Sequence, residues 1–263
     1  MDPQSTAGSF PPATSPAAAW PRSPRMLAPG RGVQWWSEGW RIFTAAPLVW
    51  IGMLVVLLLI MGVINFVPVL GPLAQALLWP VFSGGMFLGC RELAQGRPLA
   101  FTQLFAAFKD GRAGGLIILG LIALVVGVVL SLIIALFVFG ALGMSGMMAM
   151  MKGDPSIAMS TAIAGAGVAA LIATPLVFVA GVLFMMAWWL AVPLVVLYRA
   201  QPIEALKASF DASWKNLGAL ALCVLIFIVA AIVATIPFGL GWLVLMPVAV
   251  GTNFAAWREI FGD

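Results

Sequence analysis

PVFSGGMFLGCRE (80–92) and PVAVGTNFAAWRE (247–259) close two apolar stretches of this chain in nearly the same words. Counted from each proline, a glycine stands at +4 (Gly84, Gly251), a phenylalanine at +7 (Phe87, Phe254), and an Arg-Glu pair at +11 and +12 (Arg91-Glu92, Arg258-Glu259). Proline bends a helix by removing one hydrogen bond, and glycine admits a close neighbour. An arginine after a long apolar run marks where the chain leaves hydrocarbon. Two such endings, about 167 residues apart, read as the returning membrane helix of a repeated unit.

Composition agrees. Of 263 residues, 63% are hydrophobic and 8% charged, with a mean hydropathy of +1.12. A soluble domain carries about a quarter charged residues, so this chain has too little charge to cover a water-facing surface. The net charge of +4 is spread between apolar runs, which suits a cytoplasmic membrane face and not nucleic acid. Histidine is absent, which removes the commonest general base and metal ligand. Cys90 and Cys223 each lie inside an apolar run and read as small buried hydrophobes, not as a disulfide or a metal pair.

Residues 1–30, rich in Pro, Ala and Ser without an apolar core, read as a disordered cytoplasmic tail and not a secretory signal. Met26 is a candidate start within it. Beyond Arg41 the charges leave four uncharged runs, 42–90, 113–151, 155–198 and 216–257, of 39 to 49 residues, where one crossing needs about 20. NFVPVLGP (65–72) and TIPFGLGW (235–242) break the first and last runs with turn residues. The middle is settled by the positive-inside rule. Six crossings put twelve of the thirteen Lys and Arg on one side, with Lys152 alone on the other. The expected spans are about 46–65, 71–91, 114–140, 171–198, 216–236 and 240–258, with both termini in the cytoplasm and 31–263 forming one transmembrane domain.

A short aromatic and charged segment precedes each outgoing span: VQWWSEGWRIF (33–43), FTQLFAAFKDGR (101–112) and IEALKASFDASWKNL (203–217). Large apolar residues recur at helical steps, as Val33, Trp36, Trp40, Phe43, then Phe101, Leu104, Phe108, then Ile203, Leu206, Phe210, Trp214, Leu217. Such helices lie flat at the headgroups with rings down and charges up, and Trp36, Trp40, Phe108, Phe210 and Trp214 are the expected interfacial aromatics. The fold class is therefore an all-α integral membrane protein. Its six transmembrane helices form three parallel-repeated hairpins, each preceded by an interfacial amphipathic helix.

Little inside the spans carries chemistry. No charge sits at mid-membrane, where one would mark a functional site. Gln75, Ser83, Ser131, Thr174, Thr252 and Asn253 are the polar residues left. Gln75 and Asn253, with Ser83 and Thr252, read as interhelical hydrogen-bond formers or partners of carbonyls freed at a kink, or as the lining of a small polar cavity. Arg91, Glu92, Arg199, Arg258 and Glu259 read as helix-end anchors at the cytoplasmic headgroups. Gly85 and Gly89 form a G-x-x-x-G suited to packing within the chain. Met144, Met147, Met148, Met150 and Met151 offer thioethers, which Cu(I) favours. Without His or Cys beside them, they read as a flexible apolar loop resting on the membrane. No hydrolase, zincin or Walker motif is present, so the reading assigns no catalytic residue, metal or cofactor.

GVQWWSEGWRIFTAAPLVWIGM, FVPVLGPL, CRELAQGRP and FAAFKDGR together resemble a family of uncharacterised bacterial integral membrane proteins. Its members open with W-x3-G-[FW]-x-[LI]-F-x3-P, read here on Trp36, Gly39, Trp40, Ile42, Phe43 and Pro47. The resemblance implies a polytopic inner-membrane protein without an assigned reaction. The functional expectation is a non-enzymatic inner-membrane protein that organises partners or lipids, with membrane lipids and other inner-membrane proteins as partners and no nucleic acid. The alternative is a transporter of an apolar or zwitterionic small molecule or lipid.

Overall fold

The structure is a computed structural model that describes residues 23–109, 111–152 and 155–262, without every side chain between 141 and 166. It is helical, with no strand among the described residues. The order is α1 (Arg31–Ala45), α2 (Pro47–Asn65), α3 (Leu70–Ala94), a 3-10 segment (Phe101–Phe108), α4 (Arg112–Lys152), α5 (Pro155–Trp188), α6 (Ala191–Tyr198), α7 (Pro202–Lys215), α8 (Leu217–Thr235) and α9 (Trp242–Phe261). Five helical stretches are long and apolar enough to cross a membrane: 47–65, 70–94, 112–140, 163–198 and 217–235. Their large apolar side chains face outward, as at Leu58, Leu59, Val63, Leu225 and Ile232, an apolar surface that water would not tolerate. The chain is an α-helical membrane protein.

The two punctuated turns sit where their prolines and glycines place them. Between α2 and α3 the chain reverses through Phe66–Val69, with Val69 at φ 64°, a left-handed conformation that a β-branched residue seldom adopts. Gly71 follows against the backbone of Ile64 and Asn65, at 2.5 Å from the Ile64 carbonyl for an added Cβ. Between α8 and α9, Phe238 (φ 52°) and Gly239 (φ 81°) make the reversal, and Gly241 lies against Ala234.

One expectation fails in the middle of the chain. The Gly- and Met-rich stretch after Gly140 is not a loop: α4 continues unbroken to Lys152. Methionine and alanine favour helix strongly enough to carry the glycines along, each of which costs about 1 kcal/mol. At 41 residues and 1.5 Å per residue, α4 is about 60 Å long, twice the hydrocarbon thickness. The side chains of Met144, Met148 and Met150 lie outside the described residues, and Met147 and Met151 are exposed. The span expected at 171–198 lies within the 163–198 stretch, which breaks at Trp189 and Leu190 between α5, reaching back to Pro155, and α6.

The described chain forms two compact units. One, residues 122–185, holds most of α4 and α5, with exposed apolar side chains such as Leu136, Phe139, Leu171 and Phe178. The other, up to Leu121 and from Met186 on, contains the core. There α3, α6 and α9 touch one another, and α1 lies along α9. Arg25 ties the last residues of the expected tail into this unit. Its backbone N–H donates to the Ile260 carbonyl at 2.9 Å, and its carbonyl accepts from Asn216 Nδ2 at 2.9 Å.

Candidate functional site

The three aromatic segments do not lie alone: α1 packs on α9, the 3-10 segment on α3, and α7 on the break between α5 and α6.

The first seat is α1 on α9. Gly32, Trp35, Gly39 and Ile42, spaced by three and four residues, form the buried face of α1. The helices run antiparallel and cross where two glycines meet. A Cβ on Gly251 would lie 3.0 Å from Gly39 Cα, and one on Gly39 would lie 2.5 Å from the Val248 carbonyl and strike Thr252. Polar pairs close the crossing toward the C-terminus. Arg258 Nη2 donates to Glu38 Oε2 at 2.6 Å, Arg31 pairs with Glu259, and the indole N–H of fully buried Trp35 donates to Glu259 Oε2 at 2.7 Å.

The second seat is the 3-10 segment on α3. Leu104 and Ala107, three residues apart in a helix of three residues per turn, point inward. Gly85 meets the backbone of Gln103 and Leu104, at 2.6 Å from the Gln103 carbonyl for an added Cβ. The Phe82 ring lies edge-on to Phe105 (5.8 Å) and Phe108 (5.3 Å).

The third is α7 on the break between α5 and α6. The Leu190 N–H, which in a continuous helix would bond the Met186 carbonyl, donates to Ser209 Oγ at 2.9 Å. Ser209 in turn donates to the Met186 carbonyl at 2.9 Å, as does Ser213. A hydroxyl inserted into the helical ladder breaks it. Three residues on, Pro193 lacks the N–H that would serve the Trp189 carbonyl. Asn253 Nδ2 on α9 takes that carbonyl at 2.7 Å.

Gln75, Ser83, Ser131, Thr252 and Asn253 thus each bond a main-chain carbonyl. Gln75 Nε2 donates at 2.8 Å to the Met61 carbonyl near the end of α2, joining α3 to α2. Ser83 donates to Pro80 (3.0 Å) and Thr252 to Val248 (2.8 Å) within their own helices. Asn253 Oδ1 and Trp257 Nε1, one turn apart on α9, are buried with no partner among the described residues. Of the helix-end residues, Arg258 and Glu259 belong to the α1 clasp. Glu92 bonds Arg97, at 2.8 Å from Nη2 to Oε1, and holds that guanidinium above its ordinary pKa. Arg199, in the left-handed conformation, caps α6 and is exposed.

The amphipathic faces are turned outward. Trp40 and Trp214 are 53% and 58% exposed, Phe108 is exposed and Phe210 half-buried, stacked on Trp214 at 6.2 Å. Trp36 is held to the protein by donating to the Cys223 carbonyl at 3.1 Å. The ring α1 buries completely is Trp35, three residues after Gly32 and four before Gly39. Ser209, Ser213 and Asn216 escaped the sequence reading. Their signal is a polar residue every three or four positions on the small-residue face of α7.

Among known proteins, a probable inner membrane protein of Burkholderia thailandensis is 29% identical over 195 residues, covering 72% of this chain and 68% of that protein. No family model matches the chain, and no solved structure does.

Proposed function

We propose that this chain is a non-enzymatic, multi-pass protein of the bacterial inner membrane that organises lipids or other membrane proteins on the cytoplasmic leaflet. In this reading α2, α3, α4, the bent α5–α6 pair, α8 and α9 cross as three hairpins with both termini cytoplasmic. The distribution of Lys and Arg supports that orientation, and the name of the Burkholderia relative supports the membrane.

One observation carries the reading. The first segment sits on the third hairpin (α1 on α9), the second on the first (the 3-10 segment on α3), and the third on the second (α7 on the α5–α6 break). Three similar units around a common axis would give that cyclic order, which supports the repeat. At each contact a small residue faces the seat (Gly39, Ala107, Ala205 and Ser209), and Trp40, Phe105, Phe108 and Trp214 are exposed, where rings can meet the headgroups. Outward-facing rings, with Gln75, Ser83 and Thr252 spent on carbonyls, suit contacts on a leaflet better than chemistry.

Transport is the second reading, and one observation favours it. The buried acceptor of Asn253 and donor of Trp257 would suit a small polar site between α6 and α9. Co-purification in mild detergent with mass spectrometry of bound lipids and proteins separates the two. The first reading expects discrete companions that are lost from the Trp40→Ala/Phe105→Ala/Trp214→Ala variant. An unchanged set of companions in that variant, with uptake of a neutral solute into proteoliposomes, favours transport.

A further inference from the structure

The two copies of the Arg-Glu ending differ in charge balance. At the end of α9 both charges are matched, Arg258 by Glu38 and Glu259 by Arg31. At the end of α3, Glu92 is committed to Arg97. Arg91, half-buried in the last turn, is left without a carboxylate among the described residues.

A second guanidinium stands beside it. The start of α4 runs antiparallel along α3, with Gly120 against the backbone of Ala76 and Leu77, and Gly84 2.8 Å (for an added Cβ) from Leu116 Cδ1. One turn before Leu116, Arg112 opens α4 on the side toward which α3 ends, and the charges of Arg91 and Arg112 repel. Its Nε is buried with no hydrogen-bond partner among the described residues. Over residues 91–112 the sequence carries Arg91, Arg97, Lys109 and Arg112 against Glu92 and Asp110, a net positive charge. Two adjacent, partly desolvated guanidinium groups repel unless an anion lies between them. The exposed Phe105 and Phe108 rings pack on Phe82, nine residues before Arg91 on α3 and so deeper in the apolar part of that helix.

We propose that Arg91 and Arg112 bind the phosphodiester of an anionic phospholipid, whose acyl chains lie along Phe105 and Phe108. Guanidinium forks match phosphate oxygens, and basic pockets between helices at a membrane face hold anionic headgroups. The site is independent of the leaflet-organising reading, because a transporter would carry it equally well.

The test is native mass spectrometry of the full chain in neutral detergent, titrated separately with phosphatidylglycerol and phosphatidylcholine. The wild type is expected to take one phosphatidylglycerol at about twenty-fold lower concentration than phosphatidylcholine, each arginine accounting for about five-fold. Arg91→Gln and Arg112→Gln each lose about five-fold, and the double variant shows no preference. Arg199→Gln, on another helix end, keeps the wild-type preference. Undiminished preference in the double variant overturns the proposal. Inorganic phosphate in large excess leaves the lipid bound; its displacement of the lipid would assign the site to free phosphate and overturn the lipid. Should the glutamine pair not stay monodisperse, Arg91→Lys/Arg112→Lys keeps both charges without the forks. It is expected to lose part of the preference, and full retention also overturns the proposal.

Discussion

Asn253 on α9 donates to the carbonyl of Trp189, the one backbone acceptor that Pro193 leaves without its helical partner. A proline and an asparagine 60 residues apart in sequence therefore act as one unit, the first creating a need inside the apolar core and the second meeting it. Asn253→Ala strands the carbonyl and is expected to cost about 1 kcal/mol of stability. In a Pro193→Ala background the restored N–H serves Trp189, so the same substitution should cost close to nothing. A double-mutant cycle on detergent unfolding measures the coupling; equal costs in both backgrounds would refute the pairing.

The Gly39–Gly251 crossing makes a second prediction. Gly39→Ala forces a Cβ into the Val248 carbonyl and Thr252 and should destabilise by about 1–3 kcal/mol. Gly62→Ala, with nothing within 4 Å, should be neutral or stabilising, since alanine favours helix by about 1 kcal/mol over glycine. Thermal unfolding followed by fluorescence-detected gel filtration ranks the two.

The tryptophans of the segments divide into two kinds. Trp35→Phe keeps the ring but removes the donor to Glu259, and should lower stability by about 1 kcal/mol or more. Trp40→Ala and Trp214→Ala remove outward rings and should leave unfolding in detergent unchanged while weakening retention in membranes under alkaline extraction. Arg91→Ala should weaken retention less than either. Equal losses of folded yield across all four variants would count against an interfacial role.

Ser209→Ala removes the hydroxyl that separates Leu190 N–H from the Met186 carbonyl. The expected result is a cost of about 1–3 kcal/mol from stranded polar groups. Ser209→Thr, which keeps a hydroxyl, should recover part of it. If alanine and threonine are equally damaging, packing and not the hydrogen bonds holds the break.

Much of the fold could be read from the chain because membranes enforce simple rules. Proline and glycine at 65–72 and 235–242 placed two reversals, and arginines placed the helix ends. The orientation of the segments was harder. In water, large apolar residues mark the inner face of a helix; here Ile203 and Trp214 face outward while Pro202, Ala205, Ser209 and Ala212 are buried. Lipid removes the penalty for exposing a ring, so close packing selects small residues instead. Trp35 is the exception, a large ring on the packed face of α1 where its indole N–H meets Glu259. The break at Trp189 escaped notice because its cause, Ser209, lies on another helix. Residues 141–152 were misjudged because glycine content suggests a loop where methionine and alanine sustain a helix.

The central claim is that the three ring-bearing segments share one membrane face. Trp40→Cys, Phe108→Cys, Trp214→Cys and Met147→Cys, each placed singly in a Cys90→Ala/Cys223→Ala chain, can be probed with a membrane-impermeant maleimide. Labelling of residue 147 in intact cells, and of residues 40, 108 and 214 only after the inner membrane is opened, is the expected outcome. Labelling of any of those three from outside would contradict the shared face and the hairpin order built on it.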